Sequence, residues 1–163
     1  MAAALGVLWL RARDDEAPAA RDAVVEHVID GDTIALAGGD RVRLVQIDAP
    51  ENDGECYGDR ATALARRLLP RGARVRIEQD PRLDQIDRFR RRLAYVFRDG
   101  ENVNVALVRR GAAGVWFFRG DRGRYATELL AAAAEARTRR RGLWGACGQA
   151  RFDPLAAVAT GAT

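Results

Sequence analysis

Hydrophobic and polar positions recur in short runs through the first half of the chain. Ala23–Ile29, Asp32–Ala37 and Arg41–Ile47 are rich in Val, Ile and Leu and alternate in part, as strands with one buried face do. Gly38-Gly39 joins the second and third as a two-residue hairpin signal. Asp59 to Leu69 reads as a helix with Pro70 and Gly72 as stop signals. Strands follow at Arg74–Glu78 and Arg92–Arg98, the latter ending in an Asp99-Gly100 turn. A short helix runs from Asn102 or Val103 to Arg110 and closes at Gly111. The last helix, about Gly123 to Arg141, carries Tyr125, Leu129, Ala133 and Ala136 on one face, and Gly142 stops it. Five short strands interleaved with a few helices predict an α+β domain that is mainly a small β-barrel, with an OB-type barrel the natural candidate.

The ends lack such patterns. Met1–Leu10 is apolar but too short to cross a bilayer, and it lacks the basic flank and small-residue cleavage site of an export signal. It is read either as the surviving end of a signal or membrane anchor, or as a short tail. Arg13–Arg21, charged and alanine-rich with Pro18, reads as a linker, and Gln149–Thr163 as a frayed tail. The expected organisation is therefore an N-terminal segment and linker over 1–21, a domain over 22–148 and a tail over 149–163.

Composition narrows the chemistry. A chain of 163 residues, 48% hydrophobic and 31% charged, suits one domain with one core. It contains no serine, no lysine and a single histidine, His27. Serine nucleophiles, Schiff bases, lysine-dependent phosphate loops and two-histidine schemes are excluded. His27 is expected on a strand surface or edge. Catalysis is left to carboxylates, arginines, a metal or a thiol.

All 27 basic residues are arginine, which codon bias in a GC-rich genome explains, as do the 31 alanines. The guanidinium nonetheless binds phosphate oxygens in pairs. The net charge of +4 is modest, but residues 14–59 hold 13 acids against 3 arginines, and 60–98 hold 12 arginines against 4 acids. An acidic lobe beside a basic one suits a divalent metal next to a polyanion, although a merely dipolar surface has the same composition.

Three clusters carry candidate chemistry. In Val28-Ile29-Asp30-Gly31-Asp32-Thr33 two aspartates bracket a glycine, a pattern that also makes an ordinary turn. In Arg43-Leu44-Val45-Gln46-Ile47-Asp48-Ala49-Pro50-Glu51, Asp48 and Glu51 sit where a strand leaves the sheet, and a hairpin return would bring them near Asp32. Two carboxylates plus a backbone carbonyl suit Ca²⁺ better than zinc. In Asp87-Arg88-Phe89-Arg90-Arg91-Arg92 four arginines in five positions make a basic rim, or a charged strand edge.

Taken in order, and continued by Tyr57-Gly58, Leu93-Ala94-Tyr95-Val96 and Asp99 through Gly111 to Arg141-Gly142-Leu143-Trp144, these motifs resemble the staphylococcal nuclease (thermonuclease) family over about 22–146. The resemblance implies a five-stranded OB barrel with three helices, and DNA and RNA as substrates cut by water to leave 3′-phosphates. It implies that Asp32, Asp48 and the Ala49 carbonyl bind Ca²⁺, donors that Mn²⁺ also accepts. It assigns water activation to Glu51 and the scissile phosphate to Arg43 and Arg91. Arg88 matches a basic residue near the terminal phosphate. Trp116, Phe117 and Phe118 fall near the base-stacking aromatics, with core packing the alternative for two of the three rings, and Phe117 is the one expected to stack.

Three departures from the family stand out. Ala49 replaces the usual threonine, Phe89 replaces a tyrosine and leaves only its ring to contact substrate, and Arg90 stands where glycine is common. A positive φ there would strain Arg90 and bear on Arg91. Cys56 and Cys147 either form a disulfide, which with the apolar start favours a secreted or surface-anchored protein, or are two reduced thiols in a cytosolic one. No stable protein partner is implied and a monomer is expected. The alternative to a nuclease is an OB-fold nucleic-acid-binding module that has lost turnover.

Overall fold

The structure is a computed structural model describing residues 19–161. In chain order its elements are β1 (Ala19–Val28), β2 (Thr33–Leu36), β3 (Arg41–Leu44), β4 (Ile47–Asp48), α1 (Gly58–Leu68), β5 (Arg74–Gln79), β6 (Arg92–Arg98), β7 (Glu101–Asn102), α2 (Val103–Arg109), β8 (Gly114–Val115), a 3₁₀ turn (Phe118–Gly120), α3 (Ala126–Thr138) and α4 (Leu143–Ala146).

β1 is long enough to serve two neighbours. Its first part pairs antiparallel with β5, from Ala19 opposite Gln79 to Val24 opposite Arg74, and its second part pairs with β2. A bulge between Val25 and His27 bends the strand from one partner to the other. β2–β3 and β5–β6 are antiparallel, and a parallel β3–β6 contact, Val42 opposite Arg92 to Leu44 opposite Ala94, closes the five-stranded barrel. The α+β barrel expected from the strand pattern is the fold observed.

Val25, Ile34, Leu36, Val42, Leu44, Ile77 and Val96 fill the core. α1 buries Ala61, Thr62 and Ala65, with Asp59 in its first turn and Arg66 and Arg67 in its last, matching the helix dipole. Fully buried Asn104 ties α2 to the barrel, accepting from the Val96 N–H (3.0 Å) and donating to the Val45 carbonyl (2.9 Å). α3 buries Leu129 together with Ala132, Ala133 and Ala136, and the small alanine side chains let it lie close to α2.

Four boundaries differ from expectation. Ala19–Arg21, read as linker, is sheet, because β5 supplies its hydrogen-bonding partner. β3 stops at Leu44, since Gln46 at φ 63° turns the chain into β4, which pairs with β8. The last helix ends at Thr138, where Arg140 (φ 50°) and Gly142 (φ 56°) turn the chain into α4. The stretch from Gln149, expected to fray, lies against the domain through Gly161. There the Phe117 N–H donates to the Pro154 carbonyl (2.7 Å) and the Cys56 N–H to the Gly161 carbonyl (2.8 Å). Its hydrogen bonds go to distant backbone, so no periodicity betrays it. The N-terminal stretch 1–18, and with it the signal-or-anchor expectation, lies outside the described residues. Among those described, no helix is long and apolar enough to cross a membrane.

Cys56 and Cys147 form a disulfide across a sequence separation of 91. Constraining so long a loop in the unfolded chain stabilises the fold by about 4–5 kcal/mol in the chain-entropy model. Replacing both cysteines by alanine is expected to cost about 2–5 kcal/mol in urea unfolding. An unchanged midpoint would show that the cross-link constrains nothing the fold does not already hold.

Candidate active site

Where β1 turns into β2, the Ile29 and Asp30 N–H groups both donate to the Thr33 carbonyl, and Asp30 Oδ1 accepts from the Asp32 N–H (3.0 Å). Gly31 sits against the next loop, and a Cβ there would lie 2.5 Å from that of Ala49. Glycine is what lets the turn press onto Ala49 and sends the Asp32 side chain inward. Asp32 Oδ2 accepts from the Ala49 N–H (2.7 Å), and Oδ1 pairs with Arg43 Nε (3.0 Å) and accepts from Thr33 Oγ1 (3.1 Å).

Arg43 lies beside Thr33 across the hairpin and is only 8% exposed. Besides Asp32 it donates to the Leu44 and Ile47 carbonyls (2.9 and 2.7 Å) and, through Nη2, to Asp48 Oδ1 (2.7 Å). Four of the five guanidinium N–H donors are thereby engaged. Glu51 follows on an exposed loop, its backbone N–H donating to Glu55 Oε2 (2.9 Å). A Cβ on Gly58 would collide with the Glu51 carbonyl, so this glycine lets the loop rest on the start of α1.

The arginine loop is organised by Asp87. Its Oδ1 accepts from the Phe89 and Arg91 N–H groups (both 2.9 Å), and its Oδ2 accepts from Arg91 Nε (2.7 Å). Burial works against its ionisation, but these donors outweigh it and hold the carboxyl below its ordinary range. Arg91 Nη1 reaches Thr33 Oγ1 (3.3 Å). A chain of polar contacts thus runs from Arg91 through Thr33, Asp32 and Arg43 to Asp48. Arg90 stands at φ 63°, the left-handed conformation that a glycine would adopt without strain.

A groove of about 620 Å³ begins at these groups. Arg43, Arg88, Phe89, Arg91, Trp116, Phe118 and Arg119 line it together with Leu83, Ile86 and Leu93. Phe89 is 63% exposed, with the Arg88 and Arg91 guanidiniums 4.7 and 5.2 Å from its ring. Trp116 and Phe118 meet edge to face at 5.8 Å.

Burial pushes the Asp32 carboxyl up to about 7; Arg43 and the Ala49 N–H oppose the rise, while Asp30 and Asp48 add to it. Asp48 is raised by burial against the pull of Arg43. Glu51 is raised by burial and then by Asp30, Asp48, Glu55 and Asp53. Among the described residues no three His, Cys, Asp or Glu side chains converge as a metal cluster. What converges is a pair of carboxylates with backbone beside it. Asp32 is under-compensated when ionised, and these hard oxygens fit a divalent cation that takes its remaining ligands from water.

The family's sequence model, described as Staphylococcal nuclease homologue, matches residues 41–146. The chain belongs to the staphylococcal nuclease family. It is 39% identical over 126 residues to an uncharacterized endonuclease of Escherichia coli O157:H7, covering 74% of each chain. It is 33% identical over 129 residues to the thermonuclease of Staphylococcus intermedius, again 74% of each. Endonuclease YncB of Bacillus subtilis is 30% identical over 132 residues, 76% of this chain and 62% of its own.

Within this family member, Asp32, Arg43, Asp48 and Ala49 meet at one point, Arg91 joins them through Thr33, and Glu51 lies on the exposed loop that follows Ala49. Arg88 and Phe89 line the groove, but Phe117 does not: its ring is fully buried and faces the core. The extended backbone turns successive side chains to opposite sides, so Trp116 and Phe118 face the groove and the residue between them cannot. The sequence points to all three neighbouring rings, and Phe117, the one expected to stack, is the one turned away. It does not single out Gln46, which ties the groove together by accepting from Tyr95 Oη (2.7 Å) and donating to the Asp121 carbonyl (2.9 Å). Nor does it single out the bridging Thr33. Both are ordinary polar residues, Thr33 at the start of β2 and Gln46 in the turn after β3, without a local signal. His27 is exposed, as expected.

The raised Asp32 carboxyl has a thermodynamic signature. Its folded-state value lies above the ordinary 3.8, so its contribution to stability is full below that value and lost as pH rises through about 7. Metal-free protein is expected to lose on the order of 2–3 kcal/mol through this group between pH 5 and 8. In Asp32→Asn that part of the loss vanishes, and urea midpoints at the two pH values measure the difference. Equal slopes for the two proteins would rule out Asp32 as the source. At the arginine loop, Arg90→Gly is expected to stabilise by about 1 kcal/mol by releasing the left-handed strain. Destabilisation of the same size in the same assay would locate the loop's support in the Arg90 side chain.

Proposed function

We propose that this protein is a Ca²⁺-dependent nuclease that hydrolyses phosphodiester bonds of DNA and RNA with water, leaving 3′-phosphate ends. The observation that carries the reading is the polar chain from Arg91 to Asp48, whose two arginines line a groove together with Phe89, Trp116 and Phe118. A nucleic acid needs cations for its phosphates and flat apolar faces for its bases, and base stacking tolerates any sequence.

Asp32, Asp48 and the Ala49 carbonyl would hold Ca²⁺, whose charge, when it is bound, offsets that developing on the phosphoryl oxygens. Arg91 faces the groove and binds the scissile phosphate, with Arg43 behind it between the carboxylates. Glu51, its carboxyl raised by partial desolvation and by its acidic neighbours, accepts the proton of the attacking water. Arg88 holds a further phosphate, and Phe89, Trp116 and Phe118 stack on bases. The disulfide supports residence in an oxidising compartment, hence a secreted or surface-anchored protein.

Single-stranded DNA incubated with the protein and Ca²⁺ should be cut, and chelation should stop the reaction. Glu51→Gln should lower kcat by roughly 10²–10⁴-fold while DNA binding persists. Cleavage indifferent to chelator would remove the metal from the mechanism. Tight binding with no cleavage would instead make the protein a nucleic-acid-binding barrel.

A further inference from the structure

The segment after α4 forms a loop whose two ends meet. Gln149 touches Gly161, and both ends lie at Cys56, one through the disulfide of Cys147 and the other through the Cys56 N–H to the Gly161 carbonyl. Compact loops of this kind are packed by their own side chains and often serve function. Phe152 sits against Trp144 (6.2 Å between rings) and beneath the Arg137 guanidinium (4.6 Å). Pro154 accepts from the Phe117 N–H in the aromatic wall. Thr160 is buried. The loop then crosses the site itself, where the Val158 N–H donates to Asp48 Oδ2 at 2.8 Å. A Cβ on Gly114, which pairs with Asp48 across β4 and β8, would meet Val158 Cγ2 at 3.2 Å, so the bare glycine seats the strap above that carboxylate.

Asp48 is thus gripped from two sides, Oδ1 by Arg43 Nη2 and Oδ2 by Val158. Two donors on different oxygens fix the plane of a carboxylate that would otherwise rotate, and an N–H to an ionised oxygen is among the stronger hydrogen bonds. The side chain keeps 17% of its surface exposed, so the strap orients the group and does not seal it.

We propose that the 149–161 strap is a positioning element of the active site, its Val158 N–H holding the Asp48 carboxylate for the cation. The inference rests on the calcium reading above. Partners that orient a metal-binding side chain are worth roughly ten- to a hundred-fold in metal affinity. The strap's Pro154 carbonyl also accepts from the Phe117 N–H, so one segment braces both the carboxylate and the aromatic wall.

The test compares Val158→Pro, which lacks the N–H, with Val158→Ala, which keeps it. Ca²⁺ affinity is measured by calorimetry without substrate, and thermal melting confirms that both variants are folded. Hydrogen exchange of the Val158 amide is followed in the metal-free wild type. The expected result is a protected amide and Ca²⁺ binding roughly ten- to a hundred-fold weaker in Val158→Pro than in Val158→Ala. Phe152→Ala loosens the strap far from Asp48 and should lower amide protection and Ca²⁺ affinity together, deciding the matter if the proline variant does not fold. An unprotected amide, equal affinities in the two Val158 variants, tighter binding by Val158→Pro, or lost protection in Phe152→Ala at unchanged affinity would each overturn the proposal. A wild type with a protected amide but no Ca²⁺ binding would overturn the calcium reading, and the strap's role with it, while leaving the docked loop established.

Discussion

A charged guanidinium inside a small barrel is the constraint on which the rest depends. Arg43 is nearly buried, and only the combination of two carboxylates and two carbonyls around it makes that tolerable. Those acceptors come from different places: Asp32 from the turn before β2, Asp48 from the end of β4, the carbonyls from the kink between β3 and β4. Holding them together requires the β2–β3 register, the left-handed Gln46 and the bare Gly31 at once. Losing one partner would strand a buried charge, at a cost of about 3–5 kcal/mol. Fold and chemistry therefore share the same residues.

This sharing shapes what could be read in the chain. The five barrel strands were legible because each is a short run rich in Val, Ile or Leu bounded by turn or charged residues, and the carboxylates and arginines because they crowd the strand ends in a familiar order. What escaped depends on partners distant in sequence. Ala19–Arg21 became strand only because β5 lies beside it, and 149–161 became structure only because Phe117, Cys56 and Asp48 offer it donors and an acceptor. Phe117 was displaced from the groove by a single position, the error that arises when a cluster of rings is located but its facing is not. Arg90 is the opposite case, since its departure from glycine foretold a left-handed residue and φ is 63°.

Backbone strain collects where the site is built. Of the six non-glycine residues with positive φ among the described residues, Gln46, Tyr57, Arg90 and Arg119 lie in the β3–β4 kink, the approach to α1, the arginine loop and the aromatic wall. Each costs on the order of 1–3 kcal/mol and persists only where its surroundings over-determine it. The buried Asp32 adds a further cost whenever it is ionised. The disulfide and the strap anchored beside it act on the same region: Cys56 closes the Glu51 loop, and Val158 and Pro154 brace Asp48 and the aromatic wall. Stabilising contacts are thus concentrated next to the strained ones, as expected if the strain is retained for function.

The closing strand contact explains why an acidic segment and a basic segment, far apart along the chain, serve one groove. β3 carries Arg43 out of the acidic part, and β6 begins just after the arginine loop. Their parallel register sets Val42 beside Arg92 and Arg43 beside Leu93. That pairing fixes the arginine loop relative to the turn between β1 and β2. It lays Arg91 against Thr33, one residue from Asp32, so positive charge for a phosphate stands beside the carboxylates for a cation. Separated in sequence, each segment is an ordinary charged surface. Barrel closure is the step that turns them into one site.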